Sequence, residues 1–196
     1  MSKAIYKPTN IKCLQIEYSS KYIDMINLVR ILVTNIHPAI STFFGYYNME
    51  FIHNNNIIVR DFKPYIVFFD SRFYPYIYDL SGSINVDDID QYERLFGTLL
   101  NMAPELMNNS DISNPFSIDV YAYGICLYQI ITQKLQLPPF KSFQKFLLEV
   151  KRGFRPQIPD STPLKWRKLI ERCRDEDPKK RPTFTETCDI LESSTF

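Results

Sequence analysis

The sequence predicts an α+β fold, and three observations lead to it. Short apolar runs crowd the stretch Ile57 to Asp79, amphipathic helical patterns fill most of the chain after Asp119, and neither an internal repeat nor a low-complexity linker separates them. With 196 residues, 45% of them hydrophobic, the chain is long enough for one globular domain with its own core.

Each element has a local reason. Ser20 to Asn35 carries Ile23, Ile26, Leu28, Ile31 and Leu32 at mostly helical spacing, and the pattern stops before His37-Pro38, where proline disfavours further helix. The runs Ile57-Ile58-Val59, Ile66-Val67-Phe68-Phe69 and Tyr76-Ile77-Tyr78 are separated by charged or turn residues, the pattern of short strands and hairpins. An acidic segment, Asn85 to Glu93, follows. Helices are then predicted over Asp119 to Gln133, Ser142 to Arg152, Leu164 to Arg174 and Thr183 to Leu191, divided by proline-bearing loops.

Composition excludes several functions. The net charge is +1, and lysine and arginine are scattered among the acids instead of forming a stripe, so nucleic acid is not an expected partner. No stretch approaches the roughly 20 apolar residues that cross a bilayer, and Met1-Ser2-Lys3-Ala4-Ile5 opens no apolar secretion segment. The expectation is a cytoplasmic protein without a membrane partner. Cys13, Cys126, Cys173 and Cys188 lie far apart, with no pair at metal-ligand spacing, and are read as reduced, mostly buried thiols.

The chemistry concentrates in Val59-Arg60-Asp61-Phe62-Lys63-Pro64, followed by Asp70 and then by Asp79-Leu80-Ser81. Phosphoryl transfer needs one carboxylate to orient the attacking hydroxyl, another to hold magnesium, and a cation beside the transferred group. A charged hairpin with two solvated aspartates fits the hexapeptide equally well. The downstream series breaks the tie: Gly97-Thr98, Met102-Ala103-Pro104-Glu105, Asp119-Val120-Tyr121-Ala122-Tyr123-Gly124, Asp177-Pro178 and Arg181-Pro182-Thr183. In order and approximate spacing they resemble the C-lobe of a eukaryotic protein kinase. Arg60 to Pro64 is similar to the catalytic loop, Asp79-Leu80-Ser81 to the metal-binding triplet that opens the activation segment, and Ala103-Pro104-Glu105 to its close. Gly153, Arg155-Pro156 and Ile158-Pro159 resemble the tyrosine-kinase-like group in particular, and Lys63, two residues beyond Asp61, resembles the serine/threonine type.

The resemblance implies a protein kinase-like fold, mainly the helical C-lobe (48–196) with an N-lobe remnant (1–47) that holds a strand and a regulatory helix. It implies Asp61 as catalytic base, Lys63 as the cation beside the phosphoryl group, Asp79 as magnesium ligand, and Lys12 as the contact to the α- and β-phosphates of ATP. Structural roles fall to Arg60, to Glu105 paired with Arg181, and to Asp119, which would hold the catalytic-loop backbone. Two solvated surface charges are the other reading of Glu105 and Arg181.

Several positions depart from the family pattern. Leu28 stands where the partner glutamate of Lys12 is expected, Met1 to Ile11 contains no glycine for a phosphate loop, and Ile66 replaces the asparagine that is the second metal ligand. Val59 stands for a histidine and Ser81 for a glycine. Gly45-Tyr46-Tyr47 and Met49-Glu50-Phe51-Ile52-His53 are nearly adjacent, whereas the family places the adenine-binding hinge and most of a long helix between them. The helix Asp119 to Gln133 is then expected to be partly uncovered, giving marginal stability or a covering partner. Three functional readings follow: a pseudokinase that binds signalling proteins, an active serine/threonine kinase using ATP and magnesium on a protein substrate, and a chain lacking a segment that does not fold. Ser83, Tyr92 and Thr98, between Asp79 and Glu105, are candidate phosphorylation sites in a segment where Arg60 remains but Val59 replaces its usual neighbour, or plain surface hydroxyls.

Overall fold

The computed structural model describes residues 46–69, 75–91, 96–107, 112, 114–132 and 142–192. Lys12, Cys13, Asp70, Tyr92 and the helix predicted over Ser20 to Asn35, with Leu28, lie outside the described residues.

Helix α1 (Tyr46–Asn54) runs without a break through the junction of the two nearly adjacent segments. Met49 and Ile52 enter the core while Phe51 faces solvent. Asn56 ends the turn after it at φ 58°, a left-handed conformation that asparagine tolerates. Strand β1 (Ile57–Ile58) follows. A 3₁₀ turn at Pro64–Ile66 leads into β2 (Val67–Phe69), which pairs antiparallel with β3 (Pro75–Ile77), Val67 opposite Ile77. Strand β4 (Ile84–Asn85) returns to β1, with Ile58 opposite Ile84. The predicted short strands are present as two separate two-stranded sheets. After a 3₁₀ helix at Val86–Gln91, the described α-helices are α2 (Pro104–Met107), α3 (Ser117–Thr132), α4 (Phe143–Lys151), α5 (Leu164–Cys173) and α6 (Phe184–Glu192).

The helix ends have identifiable caps. Ser142 accepts the Lys145 N–H at the start of α4. Beyond its end Gly153 takes φ +88°, and the Phe154 N–H turns back to the Glu149 carbonyl at 2.9 Å. Helix α6 opens on a reciprocal box in which the Thr183 N–H donates to Glu186 and the Glu186 N–H to Thr183.

Helix α3 is apolar nearly all round, so it must be buried on every side. Every residue from Ser117 to Ile130 is. Val120, Tyr123 and Leu127 pack with α1, α5 and α6, whereas Ile118, Tyr121 and Ile125 pack with α2 and α4 in a second cluster. The expectation of a partly uncovered α3 is therefore not met. Its cover comes from α5, from the turns at Leu99–Asn101 and Pro178–Lys180, and from the two flanking clusters.

The α3–α5 crossing depends on Gly124, because a Cβ there would lie 2.6 Å from the Cys173 Cβ, on a rigid helix. Gly124→Ala is expected to lower the unfolding free energy by about 1–3 kcal/mol in a denaturant titration, overpacking outweighing alanine's better helix propensity.

Candidate active site

The site is built outward from Asp119, which sits in the first turn of α3 and is fully buried. Its Oδ2 accepts the Val59 N–H at 2.7 Å and its Oδ1 the Arg60 N–H at 2.8 Å. His53, at the end of α1, places Nε2 2.9 Å from Oδ2, its ring between Phe116 and Phe184. The helix N-terminus favours the negative charge, and the two amides are charge-assisted donors. They hold Arg60 at φ 67°, a strained left-handed conformation for a residue with a side chain, costing about 1–3 kcal/mol. That backbone turn sets the direction in which Asp61 leaves.

Asp61 and Lys63 form an ion pair, each side chain 25% exposed. Thr98 joins both: its N–H donates to Asp61 Oδ1 at 2.6 Å, and its Oγ1 accepts from Lys63 Nζ at 3.1 Å. Gly97 makes the approach possible. At φ +103° its Cβ would lie 2.9 Å from the Arg60 carbonyl oxygen and 3.2 Å from Asp61 Oδ1. The chain between, Phe62, is buried, and its carbonyl accepts from the Cys126 thiol.

Asp79 lies at the surface, where its Oδ1 accepts the Ser81 N–H at 2.9 Å. Hydrogen bonds from the Ser81 backbone and side chain, with a smaller contribution from the Lys63 charge, hold its carboxyl below the ordinary value. Ile66, by contrast, is 4% exposed and belongs to the main core cluster. Among the described residues no three His, Cys, Asp or Glu side chains come together. Among the described residues the family's two metal-ligand positions hold one carboxylate, Asp79, and one hydrocarbon side chain, Ile66, so that pair does not fit a metal held through two side chains.

A second ionic site closes the segment. Arg181 grips Glu105 through two parallel bonds of 2.6 and 2.9 Å, both side chains buried. Two more of its N–H groups donate to the Ser117 carbonyl at 3.0 Å and the Asp175 carbonyl at 2.9 Å, and its guanidinium lies 5.0 Å from the Tyr121 ring centroid. The reading of Glu105 and Arg181 as solvated surface charges is excluded. Arg155 donates to the Val150, Phe154 and Arg174 carbonyls beside it, tying the end of α4 to the end of α5.

Comparison with known proteins matches residues 13–191 to the protein kinase domain. The chain belongs to that family. A "Probable LIM domain-containing serine/threonine-protein kinase" of Dictyostelium discoideum is 36% identical over 145 residues, 73% of this chain and 22% of that protein. Serine/threonine-protein kinase STY17 of Arabidopsis thaliana is 30% identical over 143 residues, 73% of this chain and 25% of that protein. The dual specificity protein kinase shkE of Dictyostelium discoideum is 38% identical over 91 residues, 46% of this chain and 12% of that protein. The chain thus spans a quarter or less of the length of these curated relatives.

In this kinase domain the fold brings Arg60, Asp61, Lys63 and Asp119 into one site, with Asp79 within electrostatic reach of Lys63. Glu105 and Arg181 form their own brace at the base of α3, and Lys12 lies outside the described residues. Ser83 and Thr98 are not plain surface hydroxyls. Ser83 is 5% exposed, and the Thr98 hydroxyl is held by Lys63. Sequence reasoning overlooked His53 as a partner of Asp119; a lone histidine ending a helix gave no signal of a carboxylate 66 residues away.

Arg181→Met alone is expected to cost about 3–5 kcal/mol of stability, because Glu105 is left buried and unpaired. Combining it with Glu105→Leu is expected to recover most of that loss in thermal and denaturant unfolding.

Proposed function

We propose that this chain is a protein kinase-like domain of serine/threonine type, impaired in phosphoryl transfer, that works in the cytoplasm as a pseudokinase by binding protein partners. The supporting observation is Ile66. It fills the position of the family's second metal ligand with a buried aliphatic side chain, so no side chain there can help to neutralise phosphate charge. On this reading residues 48–196 are the C-lobe, residues 1–47 the N-lobe remnant, and the partners bind the helical lobe. Asp119, Arg60 and the Glu105–Arg181 brace serve architecture, which a binding module needs as much as an enzyme does.

A second reading, an active serine/threonine protein kinase, is favoured by the geometry around Asp61. Its carboxylate would take the proton of the substrate hydroxyl, Lys63 would offset charge on the transferred group, and Thr98 would hold both side chains in place. ATP would bring magnesium, which supplies charge neutralisation at the phosphates when bound, and Asp79 is the carboxylate that would face it.

Calorimetry and thermal shift on the purified full chain separate the two. With about 1 mM ATP and magnesium, the top of the usual KM range, the expected result is no binding and no phosphoryl transfer above that of Asp61→Asn. Transfer to protein serine or threonine that Asp61→Asn abolishes would overturn the pseudokinase reading.

A further inference from the structure

Phe96 is a large apolar side chain left 36% exposed beside a charged site. Its ring lies under the Arg60 guanidinium, 4.5 Å from centroid to Cζ, within the range of a cation–π contact. The ring also rests against the backbone of Gly82, where a Cβ would come within 2.3 Å of Cε1. Gly82 belongs to the turn that follows Asp79, and the next two residues after Phe96 are Gly97 and Thr98, which meet the Arg60 carbonyl and Asp61.

We propose that Phe96 is a positioning residue for the Asp61 and Lys63 site, its ring clamping the activation segment onto the catalytic loop between the Arg60 guanidinium and the Gly82 backbone. The clamp needs no phosphorylated hydroxyl, since an aromatic face supplies the partial negative charge that draws in the guanidinium. A side chain at position 82 would have to shift the ring, since its Cβ would lie 2.3 Å from Cε1. The proposal deepens the reading of this site as a kinase-like centre, in either its impaired or its active form.

Amide hydrogen exchange on the full chain tests it, because the Thr98 N–H is the donor to Asp61 and reports the clamp whether or not phosphoryl transfer occurs. Phe96→Leu keeps an apolar side chain but loses the ring, and is expected to speed Thr98 exchange about 2- to 5-fold while α3 amides keep their wild-type rates. Phe96→Tyr is expected to exchange like the wild type. Arg60→Gln is expected to speed Thr98 as Phe96→Leu does, and the double variant to add little beyond either single change. Wild-type Thr98 rates in Phe96→Leu, or fully additive effects in the double variant, would overturn the proposal. If Phe96→Leu loosens α3 as well, Arg60→Gln decides alone, and an unchanged Thr98 rate there sinks the clamp. A failed clamp leaves the ATP-binding result standing, so the two ideas fail separately.

Discussion

The carboxylate of Asp119 is the constraint on which the rest of the site depends. A buried charge is tolerated when its lone pairs are filled, and here two backbone amides and an imidazole fill them, each delivered by chain about 60 residues earlier. The bond to the Arg60 amide also stabilises a backbone conformation that arginine would not adopt unaided. From that turn Asp61 and Lys63 emerge at the surface, where Thr98 meets them. Take away the carboxylate and the loop has no reason to keep its shape.

The same helical turn anchors the far end of the segment. Ser117, two residues before Asp119, lends its carbonyl to Arg181, and Arg181 holds Glu105. The chain from Arg60 to Glu105 is therefore fastened at both ends to the first turn of α3. Between the anchors the described elements are small, two-stranded sheets and 3₁₀ turns, and this stretch sends Phe62, Ile66, Val67 and Ile84 into the core. The anchors add to the order that this packing supplies, and α3 can bear them because both of its faces are locked into core clusters.

Much of this was legible in the sequence, for reasons that differ by element. Helices α4, α5 and α6 lie within a residue or so of their predicted limits because each carries an apolar stripe, α4 and α5 stop at Gly153 and before the Pro178 loop, and α6 starts just after Pro182. Helix α3 was legible as an apolar run, although its burial was underestimated, since the turns that cover it have no periodicity to announce them. Helix α1 was not identified, because Tyr46–Asn54 interleaves apolar and polar residues without a strong stripe. Strand β4 is two residues long at the edge of an acidic segment, too short for alternation to register. In the site, Asp61 and Lys63 are close in sequence and form a motif. His53, Phe96 and Gly97 act on residues 36 to 66 positions away, and only the fold reveals those pairings.

The position of Ile66 shows how firmly this part of the loop is fixed. Its N–H is bonded to the Lys63 carbonyl, its carbonyl receives the Tyr78 N–H at 2.8 Å, and its side chain points into the main cluster. The backbone is thus pinned on both sides, and the side chain forms part of an apolar floor in one cluster with Val59, Phe62 and Val67. A polar group introduced on that floor would have to find partners among aliphatic and aromatic carbons, at a desolvation cost of about 1–3 kcal/mol. Cys126, whose thiol rises well above its ordinary pKa because burial disfavours the thiolate, offers no substitute charge. Among the described residues Asp61, Lys63 and Asp79 are family-matched charged groups of the site that reach solvent, while Ile66 stays in the core.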